Sequence, residues 1–406
     1  LPTAKYASLG TATMNIVTSD VSRSVGDVKP AIWHPVIDFL LVGGASIIGG
    51  FILIACFSDN QEWVEQFNRD SESGSYHDIS KFWLFSLLAL VINLPHQMAS
   101  YRLLYRSKVQ IAKFRWSAIY VPCILLILCI GTAISVETPV DTSHGVEKQF
   151  KSVLDSNSGL TTYIFAGLSV IHVVYLGWHF NLQGWRMTAT FAHLNGIEFS
   201  SREQRLIKSG FLAMIFTHAV LFLAWTPLKD LAVFKGLFPL LILGIPVVGG
   251  IALVLGGLGF YGVYQRTGRR IPINAMTPWA ASFFWYYFVT QYHYVWGIAI
   301  VVHVAHALQY LSFTNRIERN LQLARNPKAS VLKSVFLMLF FILCGYMVFI
   351  VPKAVIEINN WSLHLLVAVE LLVIALNIHH FFVDDQIWKT SNLEMRRTLL
   401  AHIREW

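Results

Sequence analysis

Residues 361–389, WSLHLLVAVELLVIALNIHHFFVDDQIWK, are apolar enough to cross a membrane yet carry Glu370, Asn377, His379, His380 and Asp384. An ionisable group at bilayer depth costs about 2.5–3.5 kcal/mol or more, so it faces a protein interior and marks a functional position. On a helix, Glu370, Asn377 and Asp384 recur at i, i+7 and i+14, and His380 shares their stripe, four residues before Asp384. Imidazole and carboxylate on one stripe are metal-ligand chemistry. Neutral imidazole is the commonest protein ligand, and a carboxylate either joins it or accepts its second ring N–H.

Other apolar stretches bring histidines to a similar depth. His96 precedes Arg102 by 6 residues, His172 and His179 precede Arg186 by 14 and 7, and His218 follows Lys208 by 10. His303 and His306 precede Arg316 by 13 and 10, and His379 and His380 precede Lys389 by 10 and 9. At 1.5 Å per residue, most of these histidines lie about 10–20 Å inside the charged boundary. His172, His179, Gln183 and Arg186 form one helical stripe, and His303, His306 and Tyr310 form another. Histidines at i and i+3 let one helix face supply two ligands.

The candidate metal ligands are therefore His96, His172, His179, His218, His303, His306, His379, His380 and Asp384. Glu370, Asp384 and Tyr310 are the candidates for catalytic proton handling. His96 and His218, each alone on its helix, also have a plainer reading as helix–helix hydrogen-bonding residues. His34, His77, His144 and His402 fall in loops or termini and read as solvated. His193 reads as a surface residue or as a cap over the site.

The elements that must position these residues follow from composition. The chain has 406 residues, 55% hydrophobic and only 13% charged, against about 25% charged in soluble domains. This is the composition of an all-α, polytopic membrane bundle. Apolar stretches lie at about 36–57, 81–104, 116–136, 161–180, 207–225, 236–264, 331–351 and 361–382. Residues 279–313 read either as one long helix or as an aromatic re-entrant piece followed by a span, so eight or nine crossings are expected. Residues 1–35 read as an irregular arm, 36–388 as the membrane domain and 389–406 as a tail.

The net charge of +8 sits in short connecting segments, 102–115, 186–208, 266–270, 316–333 and the tail. By the positive-inside rule these and both termini face the cytoplasm, in a cell or cytoplasmic membrane, and the charge is no nucleic-acid footprint. One conflict arises. Segments 266–270 and 316–333 share a side only if 279–313 folds as a tight hairpin or re-entrant loop. The four cysteines have no paired spacing, which excludes a disulfide framework and a Cys-type zinc site.

The boxes His303-Val-Ala-His306 and Asn377-Ile378-His379-His380 resemble the HxxxH and HxxHH boxes of membrane-bound di-iron oxidases, the desaturase, hydroxylase and alkane monooxygenase type. The first is one residue shorter than theirs, and the second has Asn377 where they have histidine. The resemblance implies an oxygen-dependent di-iron centre near the cytoplasmic face, acting on a lipid-like or hydrophobic substrate among membrane lipids. Zinc, copper or haem b are the other cofactors such a histidine set admits. No dinucleotide fingerprint or Fe–S cysteine set is present, so electrons are expected from a separate donor protein. Two other classes fit the same residues, a cytochrome b-like electron carrier with haem between paired histidines, and a proton-coupled transporter using Glu370.

Overall fold

Backbone N–H and C=O groups in hydrocarbon must find partners within the protein, and a helix satisfies them inside one segment. A computed structural model describes residues 31–57, 87–135, 160–225, 235–288, 295–328, 331–358, 363–388 and 392–402, and all regular structure among them is helical. In chain order the helices are α1 (Pro35–Phe39, Leu40–Gly44 and Ala45–Phe57), α2 (Ala89–Asn93 and Leu94–Tyr105), α3 (Lys108–Lys113), α4 (Trp116–Tyr120 and Val121–Ile134) and α5 (Leu160–Leu194). They continue as α6 (Ser201–Trp225), α7 (Phe238–Thr267), α8 (Ile273–Phe283 and Phe284–Phe288) and α9 (Val295–Arg325). The last are α10 (Val331–Phe349), α11 (Val351–Ile358), α12 (Leu363–Ile387) and α13 (Leu393–Leu400). The loop histidines His77 and His144 and most of the N-terminal arm lie outside the described residues.

Six helices among the described residues are long and apolar enough to cross a membrane: Pro35–Ile52, Trp116–Ile134, Ser201–Leu223, Phe238–Thr267, Val331–Phe349 and Val367–Ile387. The expected eight or nine are not reached by this count. α5 and α9, at 35 and 31 residues, also exceed the ~20 residues that a bilayer requires, and the expected span 81–104 is described only from residue 87. The α10 face bearing Phe336, Leu339, Phe340 and Leu343 is exposed, as a lipid-facing surface would be. The Gly-rich span α7 packs on α6 and α8 through its glycines. A Cβ at Gly256 would lie 2.4 Å from Trp279, and one at Gly259 2.4 Å from Ile207, so small residues set the helix spacing.

The ambiguous stretch 279–313 is resolved as parts of two helices, α8 and α9, on either side of residues 289–294. Both carry residues that reach the entry to α1. Asn274 Nδ2 donates to Pro35 O at 3.1 Å, and Trp33 Nε1 donates to Ser312 O at 3.1 Å. The start of α8 and the middle of α9 therefore both lie beside the entry to α1.

Several spans are locally widened, and each irregularity has a cause. Pro95 and Pro122 enter α2 and α4 directly after the π-type turns 89–93 and 116–120. A proline lacks an N–H and crowds the carbonyl four residues back, and a π-turn relieves both. In α1 the break falls at Gly43, whose φ of 143° excludes ordinary L-residues. The carbonyls freed there find side-chain donors, Gln309 Nε2 on Val42 O at 2.7 Å and Ser46 Oγ on Gly43 O at 2.6 Å.

One sequence reading is corrected at the termini. His402 is not simply solvated. It is partly buried, with Nε2 3.1 Å from Ala31 O and Nδ1 3.4 Å from Asn320 Nδ2, which ties the tail to the start of the bundle. His34 is exposed and caps α1, accepting from Val36 N at 3.3 Å.

A Cβ at Gly43 would sit 2.6 Å from Ala281 Cβ, whereas nothing lies within 4 Å of one at Gly49. Gly43→Ala should therefore destabilise the purified protein by about 1–3 kcal/mol, read as a lower unfolding temperature, while Gly49→Ala should not. Equal melting temperatures for the two variants would contradict this account of the α1 break.

Candidate metal centre

Four helices each deliver one histidine to a common point: His96 from α2, His179 from α5, His306 from α9 and His380 from α12. The helices are held there by direct packing, α12 against α2, α4 and α5, and α9 against α2 and the break in α1. All four side chains are buried, at most 5% exposed. One potential ligand atom from each lies within 4.8 Å of the other three.

The rings meet edge to face. Centroids are 4.5 Å apart for His179–His306, 4.7 Å for His96–His380, 5.1 Å for His179–His380 and 5.2 Å for His96–His306, with interplanar angles of 67–86°. His96 Nε2 is 3.0 Å from His380 Nε2, and His179 Nε2 is 2.9 Å from His306 Nε2. His96 Nδ1 faces the carbonyl of Asn93. A carbonyl only accepts, so that nitrogen carries the proton and Nε2 presents a lone pair to the centre. An ion with nitrogen ligands at about 2.0–2.1 Å in a tetrahedron sets them about 3.4 Å apart. Two of the nitrogen pairs are at or inside that scale and all four atoms lie within 4.8 Å, so the cluster could hold a metal ion.

A carboxylate closes one side. Asp384 Oδ2 lies 3.5 Å from His179 Nε2 and 3.4 Å from His380 Nε2. That oxygen is buried and has no hydrogen-bond partner. A carboxylate oxygen kept from water without a donor is costly, and a cation among the imidazoles would satisfy it. The other oxygen is fixed, since Tyr310 OH donates to Oδ1 at 2.8 Å and Ser100 Oγ donates to Tyr310 OH at 2.7 Å. The chain Ser100–Tyr310–Asp384 thus runs from α2 through α9 to the edge of the cluster.

The remaining sequence candidates are not among the four, though His172 and His303 pack on rings that also touch the cluster, Phe381 against His179 and Phe180 against His306. His379, one residue from His380, is rotated by about 100° on the helix. Its Nε2 meets Ser117 O at 2.7 Å and its ring stacks on Tyr101. His172, two turns before His179, stacks on Phe381. His218 stacks on Phe222 and bonds Tyr286 OH through Nδ1 at 2.8 Å. His303 sits edge-on to Phe180, with centroids 5.2 Å apart. Glu370 precedes His380 by ten residues on α12, about 15 Å along the helix axis. His193 is at the bundle end, where it pairs with Arg396.

Support around the cluster comes from side chains that the sequence reading named only in passing or omitted. Gln183 Nε2 bonds His306 O at 3.0 Å, and Gln97 Nε2 donates to Asn377 Oδ1 at 2.8 Å. Gln97 and Ser100 were not singled out. The available signal was position, Ser100 lying one turn after His96 on the same helix face.

No protein-family model, curated protein or solved structure matches the chain. The chemistry of the site therefore stands on its geometry.

His96→Ala, His179→Ala, His306→Ala and His380→Ala should each lower bound metal by at least about tenfold, measured by elemental analysis of protein purified in parallel. His379→Ala and His172→Ala should retain it. Equal metal content across the two groups would overturn the ligand assignment.

Proposed function

We propose that this chain is an integral-membrane metalloenzyme, an oxygen-dependent iron oxidoreductase acting on a hydrophobic substrate. The observation that carries the proposal is the convergence of four buried imidazole nitrogens from four helices within 4.8 Å. One donor atom from each histidine equips a single ion. Among the described residues Asp384 is the carboxylate in contact with the cluster, so the geometry favours one iron over the two implied by the histidine-box resemblance. Imidazole with a nearby carboxylate suits iron, and also zinc or copper. Four imidazoles meeting this closely leave no slot for a macrocycle between them, which speaks against haem.

Iron held this way supplies one-electron redox chemistry and dioxygen activation. The protein's own residues do the rest. The imidazoles are neutral donors, held in one orientation by contacts such as that of His96 Nδ1 with Asn93 O. Burial excludes water from the cluster. Asp384 Oδ2 is placed to take up or release a proton beside His179 and His380, and Tyr310 OH, bonded to Oδ1, is placed to pass one on. This carboxylate–phenol–hydroxyl chain offers a route for a proton to and from the cluster, which supports a catalytic role. Electrons come in this reading from a separate protein at the basic, cytoplasmic face. Glu370 is left out of the chemistry because of its distance along α12.

The test begins with elemental analysis and an absorption spectrum. About one iron per chain without a Soret band is expected, while stoichiometric zinc, haem, or no metal would overturn the reading. Tyr310→Phe and Asp384→Asn should keep the iron. In single turnover, with protein reduced anaerobically and mixed with aerated buffer, both should slow reoxidation by about 10²-fold. Unchanged rates would remove the proton relay.

A further inference from the structure

Residues 102–116, from the end of α2 through α3 to the start of α4, hold five cations, Arg102, Arg106, Lys108, Lys113 and Arg115, and no acid. Two carboxylates reach them from other helices. Glu318 pairs with Arg102 at 3.0 Å, and Glu394 of α13 holds Arg106 at 2.6 Å and Lys113 at 3.6 Å. Lys108 and Arg115 are exposed, and neither pairs with an acid among the described residues.

Helix periodicity sorts these groups onto two faces. α3 is capped by Ser107, whose hydroxyl accepts from Gln110 N at 3.2 Å. Gln110, Ile111 and Phe114 turn inward. Gln110 Nε2 donates to Glu394 Oε1 at 2.9 Å, and Ile111 and Phe114 pack on the core beneath. The opposite face points out. There Lys108, Ala112 and Arg115 recur at i, i+4 and i+7, beside Val109, Ala112 and Trp116 at i, i+3 and i+7, all of them exposed. Val109 is 74% exposed and Trp116 57%. Below Trp116 the exposed side of α4 carries Ile119, Tyr120, Ile127 and Ile134, as the lipid-facing side of a span would. The outer face of α3 thus sits where the apolar surface of a span gives way to the basic end of the bundle. This is headgroup level, where tryptophan and tyrosine concentrate. α13 holds α3 in this orientation through Glu394. Its residues Met395, Leu399 and Leu400, together with Tyr310, wall a cavity of ≈ 300 Å³. That cavity opens at the basic end, where Glu198 on its wall is 84% exposed.

We propose that the outer face of α3, with Trp116, is a binding site for an anionic phospholipid. The headgroup phosphate rests at Lys108 and Arg115, and the acyl chains run along the exposed side of α4 past Trp116 and Tyr120. A polybasic segment at the cytoplasmic end of a span attracts anionic lipid. A zwitterionic lipid brings the same phosphate with a cation of its own, so the two residues distinguish lipids by net charge. Free phosphate meets the cations but gains nothing from Val109 and Trp116. Neither the metal nor the cavity takes part in this binding, which stands apart from the oxidoreductase reading.

The experiment is native mass spectrometry of the full chain in neutral detergent, titrated with dioleoylphosphatidylglycerol or dioleoylphosphatidylcholine. The tightest phosphatidylglycerol should bind at least about tenfold more strongly than phosphatidylcholine, and added salt should shrink the difference. The double variant Lys108→Gln, Arg115→Gln should lose that preference and bind phosphatidylcholine as before. Lys108→Arg with Arg115→Lys should keep it, and so should Arg270→Gln, which removes an exposed cation from the loop after α7. All these side chains are exposed, so each variant should melt at the parent temperature, which the same preparations check. Inorganic phosphate in excess should leave the bound phosphatidylglycerol in place. Equal affinity for the two lipids would overturn the assignment, as would an unchanged preference in the folded double variant. Displacement by inorganic phosphate would also overturn it, leaving a plain anion site.

Discussion

Burying polar side chains in a medium without water is the constraint on which the rest of this structure depends. Each imidazole, carboxylate and freed carbonyl at bilayer depth needs a partner supplied by the protein itself, because none is available from solvent. The four clustered histidines, Asp384, Tyr310 and Ser100 meet that demand largely among themselves. What they leave over is the unpartnered Oδ2 of Asp384 beside the nitrogens of His179 and His380, a deficit that a cation would meet, together with the buried Nδ1 atoms of His306 and His380. The same demand explains why Gln309 reaches across to Val42 O and Gln183 to His306 O. Polar residues beside the cluster close the hydrogen bonds that irregular backbone opens.

The irregularities themselves serve the site. α2 delivers His96 directly after a π-type turn and Pro95, and α4 presents Ser117 O to His379 from within its own π-type turn. α1 breaks at Gly43 beside α8, and its opened Val42 carbonyl anchors α9 through Gln309, next to Tyr310. Helices that were regular throughout would offer no carbonyls at these points. The bundle thus combines smooth, lipid-facing spans such as α10 with broken ones around the histidines. Tyr310 joins two environments, with its hydroxyl in the polar cluster and its ring on the wall of a cavity open to the basic end.

Much of this was legible in the sequence, and the limits have physical causes. Composition alone marks a helical membrane protein. The stripe Asn377–His380–Asp384 follows from helix periodicity, and in the structure Asn377 meets Gln97 while His380 meets His96. Depth relative to the basic flanks nominated eight histidines, of which the structure gathers four. Depth is a one-dimensional measure. The rotation that sends His380 inward and His379 to Ser117 depends on how the helix packs, and spacing within one helix does not encode it. Glu370 shares the stripe but not the depth, about 15 Å away along α12. The cavity was invisible for a similar reason. It forms from three stretches far apart in sequence, 183–204, 310–313 and 387–400, and no local pattern announces it.

X-ray absorption at the iron edge of the purified protein is the most direct test of the central claim, since it reads the ligand shell without a substrate. The account predicts a single ion with about four imidazole nitrogens near 2.0–2.2 Å, and no metal–metal scattering. A metal–metal vector, a shell dominated by sulfur, or fewer than three imidazoles would contradict it.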